Sequence, residues 1–98
     1  MEKYKLIDNK EHKQYEYRLD QYVPHISYKK KGKTIALLHT NIPSELRGKG
    51  VGSMLVKDVL EDISNQNLQL IPLCSFVARY IKNNPEYKSL LPKDIYIG

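Results

Sequence analysis

Tryptophan is absent from this chain, and phenylalanine and cysteine each occur once. No run of residues is apolar for long enough to cross a bilayer as a helix, which takes about twenty. A single cysteine, Cys74, excludes an intramolecular disulfide framework and leaves one thiol for packing or chemistry. No Cys/His grouping carries zinc spacing, so no metal is expected. Neither end has a secretory apolar core, from which we expect a soluble, cytoplasmic protein without membrane attachment. Internal repeats and low-complexity linkers are missing too. The expectation is one domain over residues 1–98, monomeric, with 41% apolar residues to supply one modest core.

What is present is positive charge and tyrosine. Sixteen Lys+Arg face eleven Asp+Glu, a net +5, with the excess in the first forty residues, and there are eight tyrosines. Such a balance suits a polyanionic ligand and suits nucleic acid equally, so charge alone does not choose. The Lys29-Lys30-Lys31 run is either a solvated turn or part of a nucleic-acid patch. The latter needs exposed aromatic residues among the lysines, for which Tyr15, Tyr17, Tyr22 and Tyr28 are candidates.

The most informative stretch is Arg47-Gly48-Lys49-Gly50-Val51-Gly52. Three glycines in five residues allow a tight turn and a close approach of ligand to backbone. An amphipathic helix expected over Val51 to Gln66 follows, so unused N–H groups and the positive end of the helix dipole face the same place. Arg47 and Lys49 add charge. The local reading is an anion site, most simply for phosphate. It is not a P-loop, which needs Lys-Ser/Thr where Val51-Gly52-Ser53 stands, nor a dinucleotide fingerprint, which needs glycine or alanine at Ser53.

The rest of the chain reads as strands followed by helices. Tyr4 to Ile7, Gln14 to Leu19, Tyr22 to Lys29 and Thr34 to Thr40 are strand candidates. Pro24 calls for an edge or a bulge in the third, and Lys30-Lys31-Gly32-Lys33 for a hairpin turn before the fourth. On the helix, Val51, Leu55, Val59 and Ile63 form an apolar stripe, with Lys57, Asp58, Glu61 and Asp62 on the wet side. Asn67 ends it; Leu68 to Leu73 reads as a buried strand parallel to the fourth, and Ser75 to Asn83 as a second helix stopped at Asn84-Pro85. Glu86 to Leu91 adds a helical turn, and Pro92 to Gly98 a tail.

The segment Ile42-Pro43-Ser44-Glu45-Leu46-Arg47-Gly48-Lys49-Gly50-Val51-Gly52, with its Arg-x-x-Gly-x-Gly spacing, resembles the pyrophosphate loop of the GNAT acyltransferases. The resemblance covers Thr34 to Asn83 and, in strand order, the residues before it. It implies an α+β GNAT-like core: an antiparallel β-meander, strands 4 and 5 parallel and splayed, helices packed on the sheet. It also implies acetyl-coenzyme A as cosubstrate, with its pyrophosphate on Arg47, Gly48, Lys49, Gly50, Val51 and Gly52. The pantetheine arm would pair with Thr40, Asn41 and Ile42, and Lys82 or Asn83 would touch the arm or the 3′-phosphate. His39-Thr40 and Cys74 match positions that recur in a minimal, single-domain branch. Departures are the short Asp8–Gln14 connection, where GNAT enzymes carry a helical segment that shapes the acceptor pocket, and the missing late aromatic signature.

Acetyl transfer to an amine needs a base, a polarised carbonyl and a proton for the leaving thiolate. His39 is either the base or a hydrogen-bonded strand-end histidine. Cys74, just before a helix N-terminus, is either an inert core residue or a nucleophile paired with His39. Tyr80 is a candidate acid for the coenzyme A thiolate. Three functions therefore stand: an N-acetyltransferase acting on an unidentified amine, a non-catalytic acetyl-coenzyme A-binding module or sensor, and a small basic nucleic-acid-binding protein.

Overall fold

A computed structural model describes residues 4–95. Five strands lie in the order in which they occur along the chain: β1 (Ile7–Asn9), β2 (Gln14–Glu16), β3 (His25–Lys31), β4 (Thr34–Asn41) and β5 (Gln69–Pro72). The first four form an antiparallel meander, and β5 runs parallel to β4 after the crossover helix α1 (Val51–Asn65). A second helix, α2 (Ser75–Asn83), follows β5 and leads into a 3-10 segment, Pro85–Leu90. This is the mixed α+β arrangement expected from the sequence.

Several boundaries differ from the expectation, each for a local reason. Strand β1 starts later than Tyr4 because Tyr4 and Leu6 pack against the core instead of pairing. The turn after it runs from Lys10 to Lys13, held by the Asn9 side chain, which accepts from the His12 N–H at 3.1 Å. Strand β3 begins at His25, just past Pro24, which has no N–H to give a ladder. Tyr22 instead exchanges backbone hydrogen bonds with Leu19, both 2.8 Å, around a tight turn at Asp20. Lys30 and Lys31 belong to β3, and the hairpin turn is only Gly32-Lys33. Part of the proposed tail, from Ile95 back to Pro92, closes a backbone turn; residues 96–98 lie outside those described.

The core forms between one face of the sheet and both helices. Alternate strand residues enter it: Tyr15 and Tyr17, Ile26 and Tyr28, Ile35 and Leu37, and Leu70. Leu55, Val56, Val59, Leu60 and Ile63 of α1 meet them, joined by Val77 and Ile81 of α2. Asn67 adopts a left-handed conformation after α1, as expected, and the Leu68 N–H returns to the Ile63 carbonyl at 3.2 Å. The wet side of α1 is only partly wet. Asp58 and Asp62 accept hydrogen bonds from the buried Tyr17 and Tyr15 hydroxyls, the latter at 2.8 Å, and Glu61 accepts from Tyr87 at 2.6 Å. Tyrosine rings thus fill the core while their hydroxyls reach its rim, where a charged acceptor is worth roughly 1.5–3 kcal/mol.

Two irregularities of β4 set up the site. Tyr28 pairs with Leu37 but Ser27 pairs with His39, so Leu38 is an extra residue, a β-bulge. Beyond it Thr40 pairs with fully buried Ile26 and shares its inward face, while His39 falls on the opposite, open face. The parallel ladder with β5 stops at Leu37↔Pro72, where the Leu37 carbonyl accepts from both the Leu73 and Cys74 N–H groups, at 3.0 and 3.1 Å. Strand β4 continues to Asn41 without β5 beside it, and the gap expected between these strands opens there.

Candidate functional site

The chain leaves β4 through Ile42 and Pro43, makes one 3-10 turn over Ser44–Leu46, and enters the glycine loop at Arg47 in an extended conformation. Gly48 and Gly50 hold φ of 79° and 78°, values that glycine adopts freely and that strain other residues. Gly50 occupies the N-cap of α1, where it has no side chain to cap the helix, and the first helical bond is Met54 N–H to the Gly50 carbonyl at 3.1 Å. The N–H groups of Val51, Gly52 and Ser53 therefore have no acceptor within the helix. They open into a cavity of about 390 Å³ between the loop, the end of β4 and the start of α2. Thr40, Ile42, Leu46, Arg47, Gly48, Gly50, Val51, Gly52, Ser53 and Phe76 line it. Of the residues assigned to the loop, Lys49 is exposed and does not line the cavity; neither does Asn41 at the strand end.

Gly52 is glycine for a different reason from Gly48 and Gly50. A Cβ there would stand 2.8 Å from Phe76 Cζ and 3.4 Å from Ile42 Cγ1. The only phenylalanine of the chain lies edge-on against the first turn of α1, although it is 37% exposed. Sequence reading missed it. Its position two residues into the helix after Cys74 was the available signal.

At the other end of the cavity Thr40 meets Cys74. The Thr40 hydroxyl lies 3.2 Å from the Cys74 Sγ, and Cys74, buried, is the N-cap residue of α2. Burial alone would raise the thiol pKa. The Thr40 hydroxyl and the backbone N–H groups of Val77, Phe76 and Thr40 outweigh it and hold the thiol below its ordinary value. The anticipated Cys74–His39 pair does not form. The Leu38 bulge turns His39, which is exposed, to the open sheet face beside Ser27, and Thr40 takes the place beside the sulfur.

Tyr80 does not line the larger cavity but a smaller cleft of about 140 Å³, with Ser53, Phe76, Arg79 and Asn83. Burial raises its phenol pKa, and the negative charges of Glu86, Glu61 and Asp58 raise it further. Asn83 is exposed in the same cleft, and its helix-end neighbour Lys82 is exposed outside it.

Three of the four tyrosines that were candidates for a nucleic-acid platform are withdrawn into the core, and Tyr22 is half-buried. Tyr15, Tyr17 and Tyr28 are buried, and their hydroxyls are bound to Asp62, Asp58 and Asp8. Among the described residues no helix is long and apolar enough to cross a membrane, and no cluster of three or more His, Cys, Asp or Glu is arranged to hold a metal.

A known family and known proteins match this chain. The family model described as GCN5-related N-acetyl-transferase matches residues 14–90. Protein NATD1 of Xenopus tropicalis is 32% identical over 53 residues, 54% of this chain and 49% of that protein. Protein NATD1 of Homo sapiens is 34% identical over 59 residues, 59% of this chain and 52% of that protein. The chain thus spans about half the length of the curated relatives it matches. With the family match running from β2 to the end of the 3-10 segment, across both sides of the β4–β5 gap, the chain belongs to the GCN5-related N-acetyltransferase family.

Proposed function

We propose that this protein binds acetyl-coenzyme A in the cavity between the glycine loop and β4 and transfers the acetyl group to an amine through Cys74. One observation carries the reading: Thr40, whose hydroxyl touches the Cys74 sulfur, lines the same cavity as Gly48, Gly50 and Gly52. The pyrophosphate meets free N–H groups at the α1 N-terminus, the helix dipole and the Arg47 guanidinium. The pantetheine arm follows the unpaired edge of β4 toward Thr40.

In the chemical step the Cys74 thiolate attacks the thioester carbonyl. The carbon–sulfur bond to coenzyme A breaks, and the departing thiolate takes a proton from solvent. A neutral amine then attacks the acetyl-cysteine. An amide forms, the amine loses a proton, and the Cys74 thiolate is restored. His39, exposed on the far face of the gap, takes that proton from the acceptor side without touching the sulfur. Thr40 holds the thiolate ready.

The test is intact-mass measurement after incubation with acetyl-coenzyme A, followed by an amine. One added acetyl on Cys74, discharged by the amine and absent in Cys74→Ala, is the expected result. Undiminished transfer by Cys74→Ala would eliminate the covalent route in favour of direct attack. A second reading, a module that holds acetyl-coenzyme A without turnover, draws on the four-residue Lys10–Lys13 turn between β1 and β2. No helix stands there to build an acceptor pocket. Tight binding with neither adduct nor released coenzyme A would select it.

A further inference from the structure

Both helices pack on one face of the sheet, and among the described residues the other face is left open. The register puts Lys29 opposite Ala36 and Lys31 opposite Thr34 on that face, which also carries His39 beside the β4–β5 gap. Its charge is one-sided. The one carboxylate at its strand positions, Glu16, is 3% exposed, and its oxygens accept from Asn9, Gln14 and Arg18 at 3.0, 2.8 and 2.7 Å. Lys29 and Lys31 are exposed and, among the described residues, make no ion pair and no side-chain hydrogen bond. Lys30, between them, turns to the helix side, where its ammonium lies 3.5 Å from Gln66 Oε1. The strand positions of the open face hold no tyrosine or phenylalanine, so bases find no ring of that kind to stack on. Toward the gap the surface turns apolar: Ile71 pairs with Ala36, and Leu73, next to Cys74, is 65% exposed.

We infer that this open face docks the acceptor, and that the acceptor is an acidic polypeptide lying extended along β4, its amine at the gap and its carboxylates on Lys29 and Lys31. The inference rests on the transfer reading above and adds to it the chemistry of the acceptor. Distance decides against a small amine. Ala36 and Thr34 lie four and six positions before Thr40, about 13 and 20 Å along a strand that rises about 3.3 Å per residue. A small amine does not span that length, whereas an extended chain with its first residue at the gap brings about its fourth to seventh residues to the two lysines. Charge decides against a basic acceptor, because two free ammonium groups and no free carboxylate repel a lysine-rich chain. The apolar surface between takes the uncharged residues next to the amine. His39 stands where that amine enters and receives its proton as the amide forms.

The test incubates the wild type with acetyl-coenzyme A and three lysine-free peptides that have a free N-terminus, and reads their acetylation by mass. The peptides carry aspartates, glutamines or arginines at the fourth to seventh residues. In each the nucleophile is the α-amine, whose pKa of about 8 leaves a useful neutral fraction at neutral pH. At low salt and limiting peptide, the aspartate peptide is acetylated about five- to tenfold faster than the glutamine peptide and the arginine peptide more slowly than either. Two exposed charge pairs allow that much, and high salt shrinks it. The double variant Lys29→Glu with Lys31→Glu reverses the order, which also shows that it is folded. Equal rates for the three peptides, a preference for arginine, or an order unchanged in the variant overturns the docking face and leaves the transfer reading standing. So does transfer to ethanolamine but to none of the peptides. Salt-resistant, sequence-selective binding of single-stranded RNA by the wild type, lost in the variant, gives the face to nucleic acid and overturns the inference too. No transfer to any peptide or to ethanolamine overturns the transfer reading and the docking face with it.

Discussion

Replacing the loop glycines one at a time with alanine separates the two reasons for their presence. At Gly50 the backbone is left-handed and the space around a Cβ is empty, so Gly50→Ala costs the conformational penalty alone, about 1–2 kcal/mol. Gly48→Ala behaves alike, with φ of 79° and nothing within 4 Å. Gly52 lies inside α1, where alanine is favoured over glycine by roughly 0.5–1 kcal/mol. Against that, the new Cβ meets Phe76 Cζ at 2.8 Å. That atom is the far end of a rotatable, 37% exposed side chain, so the ring swings aside at about 0.5–1.5 kcal/mol of rotamer strain. The two terms nearly cancel, and urea denaturation is expected to find Gly52→Ala within about 1 kcal/mol of the wild type. The displaced ring distorts the wall of the cavity, however, so acetyl-coenzyme A affinity by calorimetry falls about tenfold or more. The double change Gly52→Ala with Phe76→Leu, which removes the clashing ring edge, regains most of it. If Gly52→Ala lost several kcal/mol while Gly50→Ala was neutral, the assignment of strain to one glycine and crowding to the other would be refuted. Unchanged affinity in Gly52→Ala would refute the role of Phe76 as cavity wall.

Further outcomes follow from the charges and hydrogen bonds. Thr40→Val removes the hydroxyl beside the sulfur, so the thiol pKa rises and alkylation of Cys74 by iodoacetamide at neutral pH slows, its rate profile moving to higher pH. Arg47→Glu reverses a charge at the cavity and lowers acetyl-coenzyme A affinity more than tenfold, read by the same calorimetry, while leaving the urea midpoint near that of the wild type. Tyr17→Phe leaves Asp58 without its donor and is expected to lose about 1.5–3 kcal/mol in urea denaturation. Burial and then the neighbouring carboxylates raise the phenol pKa of Tyr15, Tyr17, Tyr28 and Tyr87 above the ordinary value of 10.0, because the fold disfavours their ionised forms. Their contribution is complete below about pH 10 and is lost as pH rises beyond it, by at most about 1.4 kcal/mol per pH unit for each phenol. A stability profile measured from pH 8 to 11.5 that stayed level to its end would contradict this.

The glycine loop, the meander and the crossover helix were legible because each is written in neighbouring residues: Arg47-x-x-Gly-x-Gly, alternating strands, the Val51–Ile63 stripe. The Leu38 bulge was not. Nothing in Leu37-Leu38-His39 marks one of these residues as extra; the offset exists only against Ser27 and Tyr28 on the neighbouring strand. The expectation that Cys74 faces His39 across the strand gap could not include this offset, and one residue of slip gives that place to Thr40. The hydroxyl–carboxylate pairs were illegible for a similar reason. Tyr15 and Asp62 lie 47 residues apart, and local periodicity places Asp62 on the wet side without revealing what comes to cover it. Pro24 did signal the start of β3, although as a strand irregularity and not as its boundary.

Because the strands stand in the sheet in the order in which they are synthesised, assembly during translation has a direction. Each strand from β2 to β4 adds to an edge already laid down and waits for nothing further along the chain. The apolar face so built stays bare until α1 emerges to cover it, which makes the meander alone the species most exposed to aggregation. The cavity is on a later schedule. Its glycine loop arrives with α1, but Phe76 and the partner of Thr40 come only after β5, from the chain around the start of α2. A nascent chain that ends at residue 66 thus carries the glycine loop without Phe76 or Cys74, and the cavity is complete only once β5 has joined the sheet and α2 has followed it.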